Sequence, residues 1–366
     1  GTGNITGVAS AIFFGGPGAV FWMWAIAFLG ASSAFIESSL SQVWKEEVHG
    51  EYRGGPAYYI EKGLKSRPLG IAFAVLTIFG CGLALPGIQS NAFSQAAAHS
   101  LSLDPWIAGF IYTVLIAYVV LGGGKRIAKT AEMIVPFMAI AYIILACVIL
   151  FAHADRIVDI ISLIFSCAFN MNAAYGAVFG LAIQWGVKRG VFSNEAGQGT
   201  GAQASGAAEV SHPAKQGLVQ AFSVYVDTLL VCTATAVMIL ATNAFNVADP
   251  ANVGGFLAQN LPGIEKSNFT QEAVNNVLPG FGGVFVAVAL FFFTFTTVLA
   301  YAFYADSSIA YLFKNNASGQ GYQYGIRLTR VAVIAMTFIG AVSAVDVVWN
   351  FGSAAVGAMA WFNIVV

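Results

Sequence analysis

The sequence predicts an all-α polytopic membrane protein, and three features of composition and patterning lead to that prediction. Of the 366 residues, 58% are hydrophobic and only 9% are charged, with a mean hydropathy of +0.76. A soluble domain carries about 25% charged residues, so this chain has too few to cover a water-facing surface. The apolar residues lie in blocks of about 20, which as helices cross a bilayer core of about 30 Å and satisfy their own backbone polar groups.

These blocks predict ten helical segments, of which the first is half a span and the sixth is broken. Their ranges are 1–14, 17–44, 69–98, 106–124, 131–152, 174–210, 217–242, 281–313, 325–342 and 347–366. The first apolar run is too short to span a bilayer, and the last run reaches Val366. We therefore expect a single transmembrane domain over residues 1–366 that is truncated at both ends.

Positive charge is distributed unequally between the two sides of this layout. The loops after segments 2, 4, 6 and 8 hold twelve of the sixteen Lys and Arg residues, namely Lys45, Arg53, Lys62, Lys65, Arg67, Lys125, Arg126, Lys129, Lys215, Lys314, Arg327 and Arg330. The opposite side has Arg156 and Lys266. Because cytoplasmic loops retain Lys and Arg, the side with twelve is predicted to face the cytoplasm.

The ten segments divide into two sets of five, and an odd number of spans reverses the direction of the second set. Segment 1 begins with the glycine cluster of residues 1–3, and segment 6 contains a second cluster at residues 197–201. Glycine-interrupted helices at matching positions indicate an inverted repeat with a binding site near the bilayer midplane. The predicted halves are about 1–155 and 156–366.

A broken helix exposes amide groups where its second half begins and carbonyls where its first half ends. The amides favour an anion, so Thr2 and Gly3 are predicted to hold a carboxylate. Residues 193–197 of segment 6 are candidates to offer carbonyls to an ammonium group. Close packing of helices through small residues is the alternative explanation for single glycines.

Three polar side chains lie in otherwise apolar helices facing these breaks. The adjacent hydroxyls of Thr296 and Thr297 suit a small alkali cation, although each could simply bond back to a carbonyl four residues earlier. Gln89 can both donate and accept hydrogen bonds, which suits a zwitterion, although it could equally join two helices.

Ionisable residues at membrane depth are functional candidates by default. Glu37, Asp227 and Glu195 lie in or beside segments 2, 7 and 6, while Lys188 and Arg189 are close enough to neutralise Glu195 or to line an outer vestibule. Structural pairing explains each of them at least as well as proton coupling, so we do not predict a proton relay.

Other classes of protein fit the sequence poorly. The four cysteines stand singly and the four histidines form no H-E-x-x-H pattern, so a redox or metalloenzyme site is not expected. No basic run indicates nucleic acid. A channel would need a continuous polar stripe or a filter, and an enzyme would need a nucleophile, base and acid at one depth. The nearest approach to an enzyme site is residues 193–195, which have no histidine nearby.

Three runs of sequence are distinctive: GTGNITGVASAIFFGGPGAVFWMW at residues 1–24, GEYRGGPAYYIEKGL at 50–64 and WGVKRGVFSNEAGQG at 185–199. They resemble the alanine or glycine:cation symporter family, the sodium:alanine symporters of bacteria and archaea. The likeness extends over nearly the whole chain.

The resemblance implies a LeuT-type fold, a 5+5 inverted-repeat bundle with discontinuous first and sixth core helices and one further helix before the core. It implies symport of alanine or glycine with sodium by alternating access, segments 1, 2, 6 and 7 rocking against 3, 4, 8 and 9 under an outer lid of residues 251–279. The substrate-binding residues it implies are Thr2, Gly3, Gln89, Phe192, Thr297 and Tyr301. The sodium ligands it implies are the hydroxyls of Thr296 and Thr297 and the carbonyl of Phe293, with partners before Gly1.

The chain departs from the family pattern near this site. Tyr301 stands where a Trp is usual, Gln198 and Thr200 make the SNEAG run more polar, and Asn172 and Tyr175 are atypical. Serine or another small solute, and coupling to protons, therefore remain alternatives. We expect a monomeric, multi-pass protein of a bacterial or archaeal plasma membrane whose partners are a small neutral amino acid, sodium and the lipid bilayer.

Overall fold

The computed structural model describes residues 1–48, 50–316 and 319–366, and these ranges are almost entirely helical. The helices, labelled α1 to α16 in chain order, are Thr6–Gly15, Ala19–Trp44, Pro56–Gly63, Arg67–Phe79, Leu85–Leu101, Pro105–Val120, Gly124–Ala152, Ile157–Ala168, Phe179–Asn194, Thr200–Ala207, Pro213–Tyr225, Thr233–Ala241, Phe269–Val277, Gly282–Leu312, Gln320–Val342 and Val345–Val365.

Several of these helices are long and apolar enough to cross a membrane. By length and composition they are Ala19–Trp44, Arg67–Leu101, Gly124–Ala152, Pro213–Ala241, Gly282–Leu312 and Gln320–Val342, with shorter apolar helices at Thr6–Gly15 and Pro105–Val120. The prediction of a polytopic helical protein is therefore confirmed at this level.

Two short antiparallel hairpins lie in loops outside the long helices. Strand β1 (Glu46–Val48) pairs with β2 (Glu51–Arg53), and β3 (Asn246–Ala248) pairs with β4 (Phe256–Gln259). The second hairpin precedes α13, so the stretch 251–279 that we expect to form a lid has regular structure of its own.

The structure differs from the predicted segments in two main respects. Three helices lie outside those segments, α3, α8 and α13, because their 8, 12 and 9 residues are too few to span a bilayer. Segments 3 and 7 are not uniform helices but contain π-helical stretches at Gly80–Ala84 and Val226–Cys232. A π-helical turn adds a residue without changing the apolar character of the segment, so composition does not reveal it.

The helices pack in two groups. In one, α2 contacts α9, α10 and α11, and α1 contacts α9; in the other, α5 contacts α6, α14 and α15. The groups meet at a short 3₁₀ turn, Thr2–Asn4, which touches α5 and α14. The start of the chain therefore lies at the junction of the two groups.

A cluster of ion pairs connects the segment that follows α2 to the end of α14, on the side where most basic residues lie. Lys314 Nζ is 2.7 Å from Glu61 Oε2 and 3.2 Å from Glu46 Oε1, and Lys62 also pairs with Glu46. Burial alone would raise the pKa of Glu61, but the hydrogen bonds from Lys314 and Tyr311 and the positive charges nearby together lower it. The Glu61 carboxylate is therefore ionised at neutral pH.

Candidate binding site at two broken helices

The first helical segment is interrupted close to its start. The 3₁₀ turn Thr2–Asn4 and Ile5, whose φ and ψ are −115° and −75°, precede α1. The break leaves the Thr2 amide free to point across the bundle, where it donates a hydrogen bond of 3.0 Å to Gln89 Oε1 of α5. Thr2 and Gln89 are both buried, so this predicted anion-binding amide faces a closed interior.

The second break separates α9 from α10 and lies against the first. Helix α9 ends at Asn194, and Glu195 adopts a left-handed conformation with φ of 59°. The backbones of the two breaks approach so closely that a Cβ at Gly3 would lie 2.6 Å from Ser193 Cα. Only glycine fits there, so the glycine at this position is required by the meeting of the two broken helices.

Predicted substrate and ion residues converge on Gly1. A Cβ at Gly1 would lie 2.5 Å from both Gln89 Oε1 and Thr297 Oγ1 and 3.1 Å from the Phe293 carbonyl oxygen. The Tyr301 hydroxyl, one turn beyond Thr297, interacts with the Gln89 side chain. Amide, hydroxyl and carbonyl groups thus lie close together around Gly1.

Phe192 and Tyr301 supply an apolar wall to this region. Both are buried and belong to one hydrophobic cluster with Trp349 and Tyr304. The structure thus brings Thr2, Gln89, Thr297 and Tyr301 together, places Phe192 in the adjoining wall, and puts Gly3 against the second break.

The two threonine hydroxyls lie along backbone carbonyls of their own helix. Thr297 Oγ1 donates to the Phe293 carbonyl at 2.9 Å, and Thr296 Oγ1 is 3.0 Å and 3.2 Å from the carbonyls of Phe292 and Phe293. This is the back-bonded arrangement that we named as the alternative to ion binding. A hydroxyl that donates still has lone pairs to offer, so the same oxygens remain available to a cation.

Asp227 connects both breaks, a role that sequence spacing did not reveal. Its Oδ1 accepts from Asn4 Nδ2 at 2.5 Å, and its Oδ2 accepts from Ser193 Oγ at 2.8 Å and Thr228 Oγ1 at 3.0 Å. Asp227 lies in the π-helical stretch Val226–Cys232, a type of distortion that is common at functional sites. One carboxylate therefore joins the first, sixth and seventh segments.

The Glu37 carboxylate accepts hydrogen bonds from backbone amides of the second break. Its Oε1 accepts from the Gly197 amide at 3.3 Å, and its Oε2 accepts from the Gly199 amide at 3.1 Å and from Asn363 Nδ2 at 2.9 Å. A carboxylate at the N-terminal end of α10 is favoured by the helix dipole. Structural pairing, one of the two explanations given for Glu37, is what the structure contains.

The amino-acid sequence matches one family model and several known carrier proteins over its whole length. The model of the sodium:alanine symporter family matches residues 1–366. The chain is 50% identical over 366 residues to the carrier protein YrbD of Bacillus subtilis and 41% identical to a sodium/proton-dependent alanine carrier protein of Bacillus sp. PS3. It is 38% identical over 371 residues to the sodium/alanine symporter AgcS of Methanococcus maripaludis. These alignments cover 100% of this chain and 74%, 81% and 77% of the respective relatives.

Proposed function

We propose, from the premise that this chain belongs to the sodium:alanine symporter family, that it carries a small neutral amino acid, alanine first of all, together with sodium. The observation that carries this proposal is the convergence of the Thr2 amide, Gln89, Thr297 and the Phe293 carbonyl where two broken helices meet. Bare backbone groups at such breaks are how many secondary carriers bind a zwitterion and an ion.

We infer that the bundle is the LeuT-type 5+5 inverted repeat, with halves of about 1–155 and 156–366. Support comes from which helices touch: segments 1 and 6 meet through α1 and α9, and segments 2 and 7 through α2 and α11. Segments 3 and 8 meet through α5 and α14, and segments 4 and 9 through α6 and α15. In these four pairs the equivalent members of the two sets are neighbours, as expected around a two-fold axis in the membrane plane.

We propose that the substrate carboxylate takes the place of Gln89 Oε1 on the amides of Thr2 and Gly3. Gln89 is a neutral partner of the Thr2 amide, and a carboxylate accepts more strongly than an amide oxygen. Phe192 and Tyr301 would then close the apolar side of the pocket. Sodium would be bound by the oxygens of Thr296, Thr297 and Phe293, which lie together on one face of α14.

Alternating access follows from the two helix groups. Segments 1, 2, 6 and 7 pack among themselves, as do 3, 4, 8 and 9, and the groups meet at the Thr2–Asn4 turn. Occupying that junction with substrate and sodium changes the contacts on which the relative position of the groups depends. The site is built from one chain, which supports a monomeric transport unit, and we place it in the plasma membrane.

A proton is the second candidate coupling ion, and Asp227 is the observation that favours it. One relative, from Bacillus sp. PS3, is a sodium/proton-dependent alanine carrier protein by name, and the Asp227 carboxylate accepts hydrogen bonds from Asn4 of the first break and Ser193 of the second. Protonation would turn one acceptor oxygen into a donor and weaken this connection. Asp227→Asn should leave sodium-driven uptake sensitive to sodium while removing any acceleration by an inward proton gradient.

Uptake of labelled alanine into proteoliposomes tests the proposed function. We expect the full-length protein to accumulate alanine when an inward sodium gradient is imposed, and not when choline replaces sodium. Sodium-dependent thermal stabilisation by alanine, glycine and serine would rank the substrates through mass action. Alanine uptake that does not change with the sodium gradient would contradict the proposal.

A further inference from the structure

A cavity lies on the outer side of the broken sixth segment, apart from the central site. Its volume is about 80 Å³, and it lies between α1, α9, α16 and the outer loop that contains Lys266. A space of about 10–15 Å³ by this measure holds one water molecule, so this cavity has room for a small solute. Arg189 of α9, less than two turns before the break, forms part of its wall.

Arg189 is buried, and two of its nitrogen donors have no acceptor among the described residues. Its side chain is only 4% exposed, and the guanidinium carbon lies 4.3 Å from the centroid of the Trp349 ring and 4.9 Å from that of Trp185. Among the residues that the structure describes, its Nε and Nη1 find no hydrogen-bond acceptor. Buried donors without an acceptor are costly, so the arrangement favours a ligand that supplies one.

The chemistry of Arg189 indicates what that ligand is. A guanidinium presents its donors in a fixed plane, and this geometry matches a carboxylate better than a lysine ammonium does. The burial of Arg189 also strengthens a hydrogen bond between charged groups.

The other charges around the cavity favour a zwitterion over a simple anion. Lys188 and Lys266 line it together with Arg189, but so do the carboxylates of Glu265 and Asp346. Both signs are therefore available within one small space. A ligand with a carboxylate and an ammonium group close together can be matched by such a wall.

We propose that this cavity is an outer recognition site for an α-amino acid, with Arg189 binding the carboxylate before the substrate reaches the central site. The proposal rests on the proposed function, because the ligand is the transported amino acid itself. Phe192 connects the two places: its ring centroid is 5.4 Å from that of Trp349 in the cavity wall, and it shares a hydrophobic cluster with Tyr301 of the central site. Phe192 therefore lies between the wall of the outer cavity and the central site.

Equilibrium dialysis of labelled alanine against the full-length protein tests this inference. The outer cavity contains none of the proposed sodium ligands, so we expect one alanine to bind in choline and a second to bind only in sodium. Arg189→Gln should weaken the choline component by about tenfold or more, as expected for loss of a charged hydrogen bond, and leave the sodium-dependent component. Thr297→Val should do the reverse.

Arg156→Gln is the matched control, because Arg156 is an outer-side arginine that already has partners. It donates to the Ala241 carbonyl and, at 2.9 Å, to Asn243 Oδ1. We expect it to leave both binding components unchanged. Absence of binding in choline, or equal binding in choline by wild type and Arg189→Gln, would overturn the outer site without touching the central one. If the wild type bound alanine in choline but bound no additional alanine in sodium, that result would contradict the proposed function instead.

Competition on the wild-type protein gives a test that does not depend on a variant folding. Propionate has the carboxylate but no ammonium group, and alaninamide has the ammonium group but no carboxylate. We expect propionate to displace alanine from the choline component and alaninamide to be at least about tenfold weaker. Displacement by alaninamide as effective as that by propionate would overturn the role given to Arg189.

Discussion

The two helix breaks both expose backbone amides but pair them with different partners. At the first, the Thr2 amide donates to Gln89, a neutral side chain from another helix. At the second, the amides of Gly197 and Gly199 both donate to Glu37, whose carboxylate is also held by Asn363. One break therefore has a neutral partner and the other has an anion of the protein.

This difference indicates which break can receive a ligand. A substrate carboxylate can displace a neutral acceptor from an amide, because charged hydrogen bonds are about twice as strong as neutral ones. It has no such advantage over a carboxylate that is buried and held by three donors. The first break is therefore suited to binding and release, and the second is suited to holding the shape of the sixth segment.

The largest effect is expected where the second break loses its anion. Glu37→Gln keeps the size of the side chain but leaves one acceptor oxygen for the donors of Gly197, Gly199 and Asn363. We expect the free energy of unfolding in detergent to fall by about 2–4 kcal/mol, since buried donors would be left unsatisfied. Glu47→Gln, at an exposed position of β1, should change it by about 0.5 kcal/mol at most.

An unchanged stability of the Glu37→Gln variant would contradict the structural role given to the second break. If stability were kept and alanine binding lost, the assignment of the two breaks would have to be reversed.

A smaller effect is expected where the two breaks touch. Gly3→Ala would place a Cβ 2.6 Å from Ser193 Cα, which is backbone that cannot move aside easily. Overpacking of this kind costs about 1–3 kcal/mol, so sodium-driven alanine uptake should fall by about tenfold or more.

The matched control is Gly7→Ala, one turn along α1, where the nearest atom to a new Cβ is the Thr2 carbonyl oxygen at 3.5 Å. We expect its uptake to remain close to that of the wild type. Equal uptake by the two variants would show that the breaks do not need their close contact.

Removing one hydroxyl should affect ion binding more than stability. Thr297→Val keeps the shape of the side chain but removes an oxygen beside the Phe293 carbonyl. We expect the sodium concentration for half-maximal uptake to rise about tenfold, which corresponds to about 1.4 kcal/mol.

Thr294 provides the comparison within the same helix. Its hydroxyl is buried and also bonds back, to the Leu290 carbonyl at 2.7 Å, but the residue lies among neither the predicted nor the observed groups of the site. Thr294→Val should leave the sodium dependence unchanged. A similar shift in both variants would mean that back-bonding, and not ion binding, explains these threonines.

The segments and the breaks could be predicted from the sequence because both depend on local properties. The length of an apolar block decides whether it can span, and a glycine cluster decides where a helix can be interrupted. Helices α3, α8 and α13 were not predicted because helices of 8, 12 and 9 residues are too short to be recognised as spans.

The partners of the buried carboxylates could not be predicted, because they depend on which helices become neighbours. Asn4 and Asp227 are 223 positions apart, and Gly197 is 160 positions from Glu37. Sequence analysis identified Glu37, Asp227 and Arg189 as candidates from their depth alone. Whether each is paired, shared between breaks or left without a partner depends on the packing of four or more segments.

The smallest expected effect concerns the wall beside the first break. The Tyr301 hydroxyl interacts with Gln89, so it helps to position the neutral partner that the substrate displaces. Tyr301→Trp removes that hydroxyl and enlarges the side chain of the wall. We expect uptake of serine relative to alanine to fall by about threefold, less than the effect of one methylene in a tight pocket.

Tyr301→Phe removes only the hydroxyl and therefore separates the effect of the hydroxyl from the effect of side-chain volume. A changed preference in both variants would assign selectivity to the Tyr301–Gln89 contact, and a change in Tyr301→Trp alone would assign it to volume. If neither variant changed the preference, the substrate would not reach this wall, and the exchange of partners would have to take place closer to Thr297.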